Sequence, residues 1–221
     1  MSRSLTYIWP ASNTTDVCKS QSLAAAGNLV LNGNLANQTN SAVTFTDYGY
    51  IRSVVIRSDT NGAFTINGTQ NGFNIREVMN VVANTPLQST NVFDTISSIS
   101  VNGAIANVSV GSGYKGFFKL IGVNLERDVI NYSLSVAKLT EDSIGITLHQ
   151  AFSDIEGNGH LFSDIILNNF NVLNIETVTE ASYVLEIPTA LKSPLCKSFL
   201  VQIIGTVATA ANSLQLNFIQ T

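Results

Sequence analysis

Two histidines, His149 and His160, are the side chains whose ordinary pKa would let them serve as a base near neutral pH. A Ser-His-Asp arrangement would have to recruit one of them, and no G-x-S-x-G elbow accompanies either. A histidine satisfied within a strand or loop is the better reading. Paired carboxylates, Glu141 with Asp142 or Asp154 with Glu156, would suit glycoside hydrolysis, in which one acid protonates the leaving oxygen and its partner attacks or activates water. Adjacent acids in a chain rich in Asn and Gly are more often solvated turn residues, and no aromatic groove motif stands beside either pair. The run Asp154-Ile155-Glu156-Gly157-Asn158-Gly159 resembles the start of a calcium loop, with oxygen ligands at alternate positions and a glycine. Its twelfth position is Ile165 where an EF-hand needs a bidentate glutamate. A looser metal site through Asp154, Glu156 and Asn158 is what remains, set against a hydrated hairpin tip. The residue chemistry therefore predicts no catalytic group and no cofactor.

Other short patterns are weaker still. Gly111-Ser112-Gly113 lacks the G-K-[ST] ending of a phosphate loop and opens no helical pattern, so it reads as an interdomain hinge. N-x-[ST] sequons at Asn13, Asn37, Asn67, Asn107 and Asn131 follow from the abundance of Asn, Ser and Thr. Tyr48, Tyr50, Tyr114, Phe117 and Phe118 form an aromatic cluster that could be an oligomer contact or a sugar platform, with core and domain-interface packing as the alternative. Cys18 and Cys196 have no metal-ligand spacing and read as two free thiols of a reducing compartment.

The elements that must position these residues read as strands. Asn-Gly, the strongest short hairpin signal, occurs at positions 32, 61, 67, 71, 102 and 158. Between these pairs lie β-branched or alternating runs over 28–31, 43–46, 50–57, 63–66, 75–82, 93–101 and 105–110. Past a Gly-Ser-Gly stretch, further runs cover 129–138, 144–150, 170–178, 182–187, 199–207 and 213–219. The expectation is an all-β chain of two tandem antiparallel β-sandwich or jelly-roll-like domains, 1–122 and 123–221.

Composition agrees with sheets and limits the partners. Apolar residues make up 45% of the 221 positions and charged ones only 12%, about half the usual share, so much of the surface must be neutral and polar. Asparagine supplies a large part of it, with 24 residues against 11 Lys plus Arg. A net charge of -4 without any Lys/Arg run argues against a phosphate-backbone binder. No apolar stretch is long enough to span a bilayer as a helix, and residues 1–10 carry no signal-peptide core. Low charge density leaves little repulsion between copies, so self-association is expected.

Several segments, taken in order, resemble virion structural proteins of tailed bacteriophages. They are CKSQSLAAAGNLVLNGNL over Cys18 to Leu35, YIRSVVIRSDTNGAFTINGT over Tyr50 to Thr69, NGFNIRE ending at Glu77, and FDTISSISVNGAIANVSVG over Phe93 to Gly111. Together they span residues 18–111, and their order is more specific than any one of them. The second half is similar in a looser way, through Pro194, Gly205, Thr206, Leu216 and Gln220. The chain departs from the pattern after Glu77, where Met79 to Pro86 is apolar instead of rich in Thr and Gly, and this predicts a different partner-facing surface.

The resemblance implies a non-enzymatic virion protein assembled in the host cytoplasm. It would be a capsid decoration, cement or head-associated accessory piece, bound to the major capsid protein or to tail or portal components, and a trimer in preference to a dimer, since decoration proteins often sit at local threefold points. A tail, collar or adaptor component is the alternative within the particle; a carbohydrate-binding or adhesin-like β-module is the alternative outside it.

Overall fold

The computed structural model describes the backbone of residues 12–37, 41–45, 50–70 and 72–120, together with the strands outside those ranges, and the side chains of 12–37, 41–45, 51–70 and 72–117. In chain order the strands are β1 Arg3–Trp9, β2 Cys18–Leu23, β3 Gly27–Asn28, β4 Val43–Thr44, β5 Tyr50–Arg57, β6 Gly62–Gln70, β7 Phe73–Val81 and β8 Leu87–Gln88. They continue with β9 Thr95–Val101, β10 Ile105–Leu120, β11 Tyr132–Lys138, β12 Ile144–Ala151, β13 Phe170–Ile175, β14 Ser182–Glu186, β15 Ser198–Ile204 and β16 Leu214–Gln220. Every strand pair with a described register is antiparallel. Among the described residues no helix is long and apolar enough to cross a membrane. The fold class is all-β, two antiparallel β-sandwich units in tandem.

The division of the chain differs from 1–122 and 123–221 at its start. One unit comprises Ser12–Phe118 with Thr206–Ala210, and the other Met1–Ala11, Lys119–Gly205 and Ala211–Thr221. The reason is a ladder: β1 lies beside β16 from Arg3 opposite Gln220 to Trp9 opposite Leu214. In that unit β1, β16, β11 and β14 follow one another in one sheet, and β13, β12 and β15 are neighbours in another.

The unit built on 12–118 has two sheets. Sheet one runs β10-β5-β8 with β2 on the far side of β10, and sheet two runs β3-β9-β6-β7 with β4 added to β9. Their facing sides share one core: Val54, Ile56, Val108 and Val110 from sheet one meet Phe64, Ile66, Ile96, Ile99 and Val101 from sheet two, with Phe45 and Phe93 from the connections. In β6 the alternation is clean, Phe64, Ile66 and Gly68 inward and Thr65, Asn67 and Thr69 outward, as a sheet with one wet face requires.

β9 breaks that period for a local reason. Its inward Ile96 and Ile99 are three apart, because Asn67 lies opposite Ser98 while the next residue, Gly68, lies opposite Ile96. Ser97 is thus the extra residue of a β-bulge, and its hydroxyl donates to the Asn67 carbonyl at 3.2 Å. A Cβ on Gly68 would stand 2.1 Å from the Thr95 carbonyl oxygen, so the bulge needs a glycine there. Asn67-Gly68 marks a bulge inside a strand and not a turn. The tight hairpin is the next one: Gln70 pairs with Phe73, leaving a two-residue connection whose Gly72 has φ 75°.

Candidate interaction surface

Most of the residues singled out for chemistry lie where no geometry can be assigned. Asp154, Glu156, Asn158, His160, Tyr48 and Cys196 fall outside the described residues, as do Glu141 and Asp142. His149 sits on β12, opposite Leu200 of β15. Among the described residues no three His, Cys, Asp or Glu side chains come together. Cys18 is a free thiol at the start of β2, buried in the core, and desolvation pushes its pKa up to about 12.

The aromatic cluster is partly assembled by the β5–β10 ladder, which sets Phe118 opposite Tyr50 and Phe117 opposite Ile51. Tyr114, however, is only 3% exposed and cannot present itself to a partner; its burial fits the packing alternative. Phe117 is half-buried. Nor is Gly111-Ser112-Gly113 a hinge, for all three lie inside β10 and are buried.

Glycine serves close approach at these positions. A Cβ on Gly111 would meet the Asn13 carbonyl oxygen at 2.0 Å, and one on Gly113 would meet the Ser53 hydroxyl at 2.3 Å. Between Ser112, opposite Val54, and Gly116, opposite Arg52, β10 carries extra residues and the ladder is interrupted. Side chains replace the lost bonds. Arg52, fully buried, donates from Nε to the Gly113 carbonyl at 2.5 Å. The Ser53 hydroxyl donates to the Lys115 carbonyl at 2.9 Å and accepts from the Lys115 amide at 3.1 Å. The Tyr114 amide donates to Gln88 Oε1 at 2.9 Å. Beside this bulge, Ser112 Oγ donates to the buried Asp16 carboxylate at 2.5 Å. Every one of these polar groups serves the backbone or a neighbour within the unit.

The surface that remains is the outside of sheet two. The register places Thr65, Asn67, Thr69, Asn74, Arg76, Val78, Asn80, Ser98, Ser100 and Asn28 on that face, so Arg76 is its one charged residue. Its edge is β7. Among the described residues, four of the five large exposed apolar side chains lie in 73–87: Phe73 at 57%, Val78 at 51%, Val82 at 61% and Leu87 at 37%. Of these only Val82 lies in Met79 to Pro86, the apolar stretch that departs from the phage-like pattern, and it sits in the connection from β7 to β8. Glu77, at the centre of β7, accepts from the amides of Thr90 at 2.7 Å and Asn91 at 2.9 Å, which turns its charge into the unit. Sequence reasoning placed the contact surface on the aromatic cluster; the signal that finds β7 is apolar residues on both sides of a charged pair, Arg76-Glu77.

No family model matches the chain, and no curated protein matches it. Among solved structures it is similar to the N-terminal CBM22-1-CBM22-2 tandem domain of Xyn10C from Paenibacillus barcinonensis, with a TM-score of 0.31 and 8% identity over 92% of this chain and 93% of that one. A likeness of that degree carries no argument about what this chain binds.

Proposed function

We propose that the chain is a non-enzymatic structural protein of a tailed-phage particle, a capsid decoration or head-associated accessory component present in many copies. The observation that supports this reading is where the residues of the phage-like segments fall. Gly33, which ends GNLVLNG, has no room for a Cβ, which would stand 2.2 Å from the Asp16 carbonyl oxygen. Gly68 of FTINGT is required by the β9 bulge, and Gly111 of NVSVG by the Asn13 backbone crossing it. Glu77 of NGFNIRE ties β7 to the 90–91 connection. The ordered segments over 18–111 thus coincide with one compact unit and specify its crossings, bulges and ties. A resemblance carried by such positions is a resemblance of a whole module.

A neutral outer face of Thr, Asn and Ser suits recognition by shape and hydrogen bonding against another protein of the particle. The test is an averaged density map of the intact virion. Copies distributed over the capsid lattice are the expected result; copies confined to one vertex would make the chain a tail, collar or adaptor component, and absence from the particle would overturn the proposal.

A further inference from the structure

Proteins blunt exposed sheet edges with short strands, charges, prolines or bulges. Three edges of the 12–118 unit follow this rule: β3 and β8 have two residues each, and β2 pairs with β10 through repeated register shifts. β7 does not. It has nine residues, an unbroken register with β6, no Pro or Gly, and no described strand on its far side.

The geometry of that edge follows from the hairpin. Because Gln70 and Phe73 close a two-residue connection, hydrogen-bonded pairs with β6 fall at the odd-numbered residues of β7. The N–H and C=O groups of Asn74, Arg76, Val78 and Asn80 therefore point away from the sheet. These are also the exposed side chains of the strand.

We infer that the β7 edge is a self-association surface, pairing antiparallel with β7 of a second copy across a twofold axis at Val78. The choice of occupant rests on the register. To continue the sheet, core-side residues must face core-side residues, which leaves a small set of twofold centres on β7. A centre at Arg76 sets arginine directly opposite arginine, and a centre at Glu77 sets glutamate opposite glutamate, both unfavourable. Centres at Ile75 or Met79 overlap only over 73–77 or 77–81. The Val78 centre overlaps from Ile75 to Val81, sets the exposed Val78 against its copy, sets Arg76 opposite Asn80, and lets Ile75 continue the apolar side beside Val81. It is the longest overlap free of like charges face to face. An isologous pair of this kind is a dimer, in place of the trimer that the phage resemblance implies. It concerns the chain with itself and stands independently of the virion reading.

Light scattering on the full chain should give twice the 23.7 kDa chain mass, falling two-fold to the chain mass in Val78→Lys, which sets two ammonium groups face to face at the axis. Val78→Thr should keep the doubled mass. Val78 is half exposed, so both variants should keep the parent circular-dichroism spectrum and a cooperative melt, with only the concentration dependence of the melting temperature lost in Val78→Lys, which separates loss of pairing from loss of fold. In a Cys196→Ser background a short bis-maleimide should join copies of Val78→Cys and leave Arg76→Cys unjoined, with the buried Cys18 silent. A parent chain of single or triple mass at every concentration, a Val78→Lys variant that stays double, or joining at position 76 and not at 78 would each overturn the inference.

Discussion

The two sheets of the 12–118 unit solve the same problem, burying one face against the other, under different constraints. Sheet two has a wet outer face, so β6 alternates and its ladder with β7 runs without a slip. In sheet one, β5 is buried from Ile51 to Ile56 on both faces, and β10 shifts register against both β2 and β5. A strand covered on both faces carries no alternation to fix its register. Register in sheet one is instead fixed by backbone crossings that admit only glycine and by side chains such as Arg52 and Ser53 that bond the bulge. In sheet two it is fixed by the pattern of apolar residues.

If that contrast is right, the largest effects should come from glycines of sheet one and core residues of sheet two. Gly111→Ala must move the Asn13 backbone and should cost more than about 4 kcal/mol or prevent folding, whereas Gly103→Ala, with nothing within 4 Å, should change stability by less than about 1 kcal/mol in urea unfolding. Equal effects would mean that the crossing at Gly111 can relax. In sheet two, Phe64→Ala should cost roughly 3–5 kcal/mol and its outward neighbour Thr65→Ala under about 1 kcal/mol, because only Phe64 leaves a cavity.

Next in size, Ser53→Ala removes the hydroxyl that both donates to and accepts from Lys115 and should cost about 1–2 kcal/mol. Hydrogen exchange at the Lys115 amide should quicken by more than the global change accounts for. The last effect is confined to alkaline pH. The Cys18 thiol is pushed up from 9.0 to about 12, so between those values the unfolded chain loses a proton that the folded chain keeps. Stability should be fully present below pH 9 and fall as pH rises toward 12, by on the order of 1 kcal/mol per pH unit from this group. Cys18→Ala should flatten that slope in denaturant melts across the same window.

The legible part of the fold follows the same division. The run expected over 50–57 coincides with β5, and those over 63–66 and 75–82 fall on β6 and β7, because each is rich in β-branched residues or alternates. β10 was legible only to Val110. Beyond it the Gly-Ser-Gly stretch carries the composition of a flexible joint, and its glycines are explained by neighbours distant in sequence, Asn13 for Gly111 and Ser53 for Gly113. β1 was missed because its pairing partner lies at the far end of the chain, and β8 because two residues have no period. The Asn-Gly at 67 has the composition of a hairpin and the structure of a bulge; only the spacing of Ile96 and Ile99 distinguishes the two. Among the site residues, aromatic side chains in 114–118 signalled bulk to be buried as much as a surface to be shared, and Tyr114 shows the former. Only Met79 to Val81 of β7 fall in the stretch that departs from the phage-like pattern, and that the strand lies at the end of a sheet is a fact of topology.

The pairing of β1 with β16 also sets a timetable for synthesis. Residues 3–9 leave the ribosome more than two hundred residues before the strand they join. The ladders that join strands β2 to β10 with one another close within 12–118, so that stretch can begin to fold while the ribosome is still working. The other unit cannot complete its first sheet until β16 emerges, so during elongation β1, RSLTYIW, waits without its partner strand. That interval is when the chain is most exposed to capture by chaperones or by other nascent copies, and its length is set by the rate of translation.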